Sequence, residues 1–187
     1  MKWQEHIAQL NGLLGGVTFT DGRARPLAAD AAFAAWRRLT VELRRRGGTV
    51  YMIGNGASAS MASHFAADLA KNGHVHTEVF SDLSLITAIS NDMGYEHVFA
   101  EPLRRRGKAG DLLVAISSSG RSPNVLAAVA VARQRRMRVV TLSGFRADNP
   151  LRRAGSLNAF VDAKTYGDAE TCHAAILHYW LDLVVEG

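Results

Sequence analysis

Short apolar runs of strand length, separated by segments of helical period, point this chain to an α/β fold: a three-layer αβα sandwich around a central parallel sheet, with additional N-terminal helices. Leu112–Ile116 is an unbroken apolar run of the kind buried on both faces of a parallel sheet, and Thr49–Ile53 and Arg138–Leu142 are further clear strands. Each is joined to the next by a segment long enough for a crossover helix. Two strand ends run straight into glycine- and serine-rich turns that open a helix, Gly54-Asn55-Gly56-Ala57-Ser58 and Ser117-Ser118-Ser119-Gly120-Arg121-Ser122.

The elements follow in order. A first helix is expected over Trp3–Leu14 and ends at Gly15-Gly16. Residues Val17–Pro26 read as turn-rich. A longer helix covers Ala28–Arg46, with Ala32, Phe33, Trp36, Leu39 and Leu43 carrying its apolar content, and Gly47-Gly48 stops it. The alternating part begins with a strand at Thr49–Ile53 and a helix at Ser58–Lys71. A short strand is placed near Glu78–Phe80, whereas Leu83–Ala88 fits strand or helix equally. Glu96–Arg106 reads as helix, Leu112–Ile116 as strand, Val125–Arg135 as helix, Arg138–Leu142 and Asn158–Val161 as strands, and Asp168–Val185 as the last helix.

Size and composition narrow the function. The chain has 187 residues, 48% hydrophobic and 21% charged, which suits one domain over 1–187 with residues 1–47 as a helical segment used in packing or oligomerisation. Cys172 is the only cysteine, which leaves no intrachain disulfide and no cysteine metal cluster. The N-terminus MKWQEHIAQL is too polar for a signal peptide, and no apolar run reaches membrane-spanning length, so a soluble cytoplasmic protein is expected. The net charge of +5 raises nucleic acid as a partner. The arginines of 44–46, 104–106 and 133–138 argue against it: they are scattered, lack interleaved aromatics, and fall near helix ends, where cations complement the dipole.

The two serine turns carry the chemistry. A strand, a hydroxyl-rich glycine turn and a helix start aim backbone N–H and side-chain O–H groups at one point, with the positive end of a helix dipole behind them. Serines also cap helices and fill loops, but two such turns in one chain favour a compact anion, most naturally a phosphate. Neither turn has the spacing of a dinucleotide fingerprint or a P-loop. Ligands in such folds sit at the carboxyl ends of the strands, where both turns lie.

Titratable residues gather on two helices. His64 and Asp68 are four apart and share a face of the helix that leaves the first turn. On the last helix Glu170 and His173 are three apart, and His178 stands eight residues beyond Glu170 on about the same side. Spacing alone leaves three readings open: surface ion pairs, a zinc site of imidazoles and carboxylates, or a general acid and base.

Four segments together resemble a family. Gly54-Asn55-Gly56-Ala57-Ser58, Ser63-His64-Phe65-Ala66, Ser90-Asn91-Asp92-Met93-Gly94-Tyr95 and Ile116-Ser117-Ser118-Ser119-Gly120-Arg121-Ser122 are similar, in this order, to the phosphoheptose isomerases of the flavodoxin-like sugar isomerase (SIS) fold. The resemblance spans nearly the whole chain. It implies a homotetramer that converts sedoheptulose 7-phosphate to D-glycero-D-manno-heptose 7-phosphate through an enediol. It places the phosphate on Ser58, Ser117, Ser118, Ser119 and Ser122, and the sugar near Asn55, Gly56, Asp92 and Glu170. It assigns zinc to His64, Asp68, Glu170 and His178, with Asp68 as catalytic base and His178 as acid. Two positions depart from the family's pattern: Asp68 stands in place of Glu, and Glu170 in place of Gln. The shorter Asp must recover its reach through backbone or water. The alternative is a non-catalytic phosphosugar- or protein-binding module on the same fold, which Asp68 and His178 argue against. A sugar-phosphate-sensing regulator would need a DNA-binding domain for which 187 residues leave no room.

Overall fold

The computed structural model describes residues 2–186. Seven strands form one sheet in the order β2-β1-β7-β6-β5-β3-β4. They are β1 (Thr18–Asp21), β2 (Pro26–Leu27), β3 (Thr49–Ile53), β4 (His76–Val79), β5 (Leu112–Ser117), β6 (Arg138–Gly144) and β7 (Leu157–Val161). The helices are α1 (Trp3–Gly15), α2 (Ala29–Arg45), α3 (Ala57–Lys71), α4 (Leu83–Met93), α5 (Ala100–Arg106), α6 (Pro123–Gln134) and α7 (Tyr166–Val185).

Strands β4-β3-β5-β6-β7 are parallel. Strand alternation divides their side chains between two cores. Leu112, Val114 and Ile116 face a cluster holding Trp36 of α2, Phe65 of α3 and Trp180 of α7. Leu113 and Ala115 face the opposite side, with Leu103 of α5 and Val125 and Ala128 of α6. The expected three layers are therefore present. Of the apolar residues of α2, which could serve a subunit interface or cover the chain's own sheet, Phe33 and Trp36 are buried in the chain's own core, while Leu39 is half-buried. Trp36 stacks on Trp180 at 4.4 Å between ring centroids.

Three expectations on individual elements need correction, and one left open is resolved. The turn-rich stretch 17–26 contains the hairpin β1–β2, and β1 pairs antiparallel with β7, so the sheet is mixed at that edge. Strands this short carry little periodic signal. The turn is held by the Asp21 carboxylate, which accepts from the backbone N–H groups of Arg23 and Arg25. The ambiguous run at 83–88 is the start of α4, because the Asp82 side chain accepts from Leu85 N–H and caps the helix. The stretch 96–106 is a 3₁₀ turn (Tyr95–His97) followed by α5, and the expected strand near 78–80 is shifted to His76–Val79.

The arginine runs lie at helix ends, as expected. Arg44 and Arg45 occupy the last turn of α2, Arg104–Arg106 that of α5, and Arg133 that of α6. Arg104 and Arg105 both bond Glu101, and Arg106 pairs with Glu78 at 3.0 Å. Among the described residues no helix is long and apolar enough to cross a membrane.

Candidate active site

Counted along the parallel strands alone, the order is that of a doubly wound sheet whose direction of winding reverses between β3 and β5. The loops leaving these two neighbours diverge to opposite faces, and the gap between them is the place for a ligand. Both serine turns are there.

The β3 turn is built for close approach. A Cβ on Gly54 would stand 2.5 Å from Ser58 Cβ, so only glycine lets α3 start so near the strand. Gly56 has φ +53°, the left-handed region that favours glycine. The β5 turn closes with Gly120 at φ +61° and with Pro123 in the first turn of α6. Helices α3 and α6 therefore direct their N-termini at the same space.

Between the turns lies a cavity of about 130 Å³, lined by Asn55, Ser58, Ile116, Ser117, Ser118, Ser119, Ser122, Tyr166 and Glu170. The five serines assigned to phosphate line it together. Ser117 Oγ is 3.1 Å from Ser122 Oγ and 3.5 Å from Ser119 Oγ. Ser118 is only 5% exposed, and its hydroxyl has no hydrogen-bond partner among the described residues. A buried hydroxyl left in this state is costly. An anion held in the cavity would supply the missing acceptor.

The sequence did not single out the residues that fix Asn55. Buried Asn124 and Asn55 exchange amide hydrogen bonds of 3.0 and 2.8 Å, and Tyr95 donates its hydroxyl to Asn55 Oδ1 at 3.1 Å. Tyr95 directly follows Gly94 in a segment that the resemblance did include, and Asn124 follows Ser122-Pro123, so both were within view of the motifs. Tyr166 was also missed; its ring packs edge-on against Phe145 at 4.9 Å. Asp92 lies on the exposed last turn of α4, accepts from Asn91 Nδ2 at 2.8 Å, and is not part of the cavity lining.

The titratable residues divide into three groups. His64 Nε2 stands 3.4 Å from Asp68 Oδ2, and the His178 ring lies 5.8 Å from the His64 ring and 4.6 Å from that of Phe65. Packing of α3 on α7 thus brings the His178 ring beside His64, which in turn pairs with Asp68 along α3. Glu170, two turns earlier on α7, lines the serine cavity instead. His173 parts from Glu170 altogether. It is fully buried, and its Nε2 donates to the Ser143 carbonyl at 3.2 Å, since a carbonyl only accepts. Burial pushes its pKa down to about 4, so it is neutral at neutral pH.

Zinc on His64, Asp68, Glu170 and His178 is chemically reasonable for nitrogen and oxygen donors. The side chains as placed do not fit it: among the described residues no group of three or more His, Cys, Asp or Glu is close enough to hold an ion.

Comparison with known proteins agrees with this geometry. Residues 28–144 match the SIS domain. The phosphoheptose isomerase of Proteus mirabilis is 34% identical over 176 residues, covering 88% of this chain and 90% of its own. That of Campylobacter jejuni is 31% identical over 194 residues, covering 100% and 96%. The solved phosphoheptose isomerase of Neisseria gonorrhoeae superposes with a TM-score of 0.83 at 28% identity, over 98% of this chain and 97% of that one. The chain belongs to the SIS-domain family and, within it, to the phosphoheptose isomerases.

Proposed function

We propose that this protein is an aldose–ketose isomerase that converts sedoheptulose 7-phosphate to D-glycero-D-manno-heptose 7-phosphate through an enediol. The observation that carries the proposal is the convergence of five serines on one cavity at the switch point of the sheet. Names and lengths of the relatives support the same reading.

The phosphate occupies the serine cavity, bonded by hydroxyls and by the N-terminal N–H groups of α3 and α6. From there the sugar extends along the groove between α3 and α7. His64 and Asp68 lie six and ten residues beyond Ser58 on α3, about 9 and 15 Å at the helical rise. Asp68 takes the carbon-bound proton beside the carbonyl, and His178 handles protons on the oxygens. Anchoring the far end of the sugar holds the reacting carbons in register, so binding energy remote from the reaction lowers its barrier. Asn55, held by Asn124 and Tyr95, contacts the sugar hydroxyls, and Asp92 and Gly56 belong to the same proposal.

Asp68→Asn is expected to abolish turnover while leaving phosphate binding intact; unchanged turnover would remove Asp68 from the mechanism. Run on chelated protein with and without added zinc, the same assay separates catalysis by these side chains alone from catalysis that needs a cation. A cytoplasmic homotetramer is part of the proposal. The exposed apolar side chains Trp3, Ile7 and Leu14 on α1 support self-association, and a monomer mass by light scattering would contradict it.

A further inference from the structure

Behind the serine loop runs the segment that joins β6 to the 3₁₀ turn Pro150–Arg153, and its last residue is Asn149. This residue is fully buried. Its Nδ2 donates to the carbonyls of Arg146 at 2.8 Å and Gly144 at 3.2 Å and reaches Ser143 Oγ at 3.3 Å. Its Oδ1 accepts from Arg152 N–H at 2.9 Å, capping the 3₁₀ turn.

The same Oδ1 packs face to face with Gly120 at the apex of the serine loop. A Cβ on Gly120 would fall 2.0 Å from it, so the loop and the amide are in direct contact. The backbone bonds on either side of Asn149 also end on the serine loop. Gly144 N–H donates to the Ser118 carbonyl at 2.9 Å, and Leu151 N–H donates to the Gly120 carbonyl at 3.2 Å. From the other side, His173 on α7 anchors the Ser143 carbonyl. One buried amide therefore ties together the two stretches of backbone that hold Ser118 and Gly120 in place.

We propose that Asn149 is a positioning residue for phosphate recognition: it clasps the end of β6 to the apex of the serine loop and so sets the direction of the Ser118 and Ser119 hydroxyls. The inference rests on the assignment of phosphate to the serine cavity. A purely structural role, capping the 3₁₀ turn, is the competing account. The two separate because serine at 149 keeps a capping acceptor for Arg152 N–H but lacks the amide donors and the contact with Gly120.

The test compares wild type, Asn149→Ser and Asn149→Ala by calorimetric titration with inorganic phosphate, by thermal melts, and by turnover of sedoheptulose 7-phosphate. The clasp predicts that both variants bind phosphate about tenfold more weakly, the size of one or two hydrogen bonds. KM should rise and kcat/KM should fall by at least as much, with Asn149→Ser melting closer to wild type than Asn149→Ala. Phosphate affinity and KM at wild-type values in Asn149→Ser would overturn the proposal and leave Asn149 as a cap. Wild type that fails to bind phosphate at all would overturn the phosphate assignment itself, and the clasp with it.

Discussion

Removing the Ser118 hydroxyl should stabilise the free protein and weaken the liganded one, an opposition that few other substitutions would produce. Ser118 is 5% exposed and its Oγ has no partner among the described residues. Burying a hydroxyl without a hydrogen bond costs about 1–3 kcal/mol by mutational measures. Ser118→Ala removes that cost without leaving a large cavity, so in phosphate-free buffer it should gain about 1 kcal/mol, or ~2–4 °C in Tm for a chain of this size. With phosphate bound, the same hydroxyl donates to an anion, and such a bond contributes about 1.5–3 kcal/mol. Taking ~2 kcal/mol, the variant should bind about thirtyfold more weakly. At phosphate one hundred times the wild-type Kd, ligand stabilisation would then fall from about 2.7 to about 0.9 kcal/mol. Thermal melts of both proteins with and without inorganic phosphate read all four states. A lower Tm without phosphate, together with an undiminished phosphate shift, would refute the idea that Ser118 is held ready for an anion.

Glu170→Gln should tighten inorganic phosphate binding, because a carboxylate now lines the cavity that receives the anion; weaker binding would show that Glu170 assists the phosphate, and titration calorimetry decides. Gly54→Ala should lose phosphate binding and turnover together, since the new Cβ meets Ser58 at 2.5 Å; retained activity would mean that the β3 turn is not part of the site. Trp180→Ala should cost about 3–5 kcal/mol in denaturant unfolding through loss of the stacked pair with Trp36. His173 gives a pH signature. Its folded pKa of about 4 lies below the ordinary histidine value of 6.5, so the unfolded chain binds the extra proton first and stability falls as pH drops from about 6.5 towards 4. His173→Gln should flatten that part of the stability profile, and an unchanged slope would mean that other groups cause it.

The inner parallel strands were legible because they are buried on both faces and rich in apolar residues: Thr49–Ile53 matches residue for residue, and Leu112–Ile116 falls one residue short of β5, whereas the edge strand β4 is partly exposed and was misplaced. The hairpin of β1 and β2 was not, since four and two residues carry almost no period, and its pairing with β7 is set by distant sequence. For α4 the Asp82 cap was present in the sequence, but the apolar run after it suits either structure. At the site, the serine turns were readable because hydroxyls and glycines follow a strand directly. Asn124, Tyr95 and Asn149 were not, because each acts through a partner brought near by the fold. Pairing by spacing also has limits: His64 and Asp68 do meet, whereas His173 turns into the core and away from Glu170.

The most direct test of the central claim is to incubate the purified protein with sedoheptulose 7-phosphate in deuterated water and follow the sugars by NMR. The account predicts an aldoheptose 7-phosphate carrying solvent deuterium at the carbon next to the new aldehyde, because the enediol is reprotonated there. Product free of deuterium even after prolonged reversible turnover would point to a hydride shift and contradict the enediol, and binding of the sugar phosphate with neither product nor exchange would contradict the isomerase.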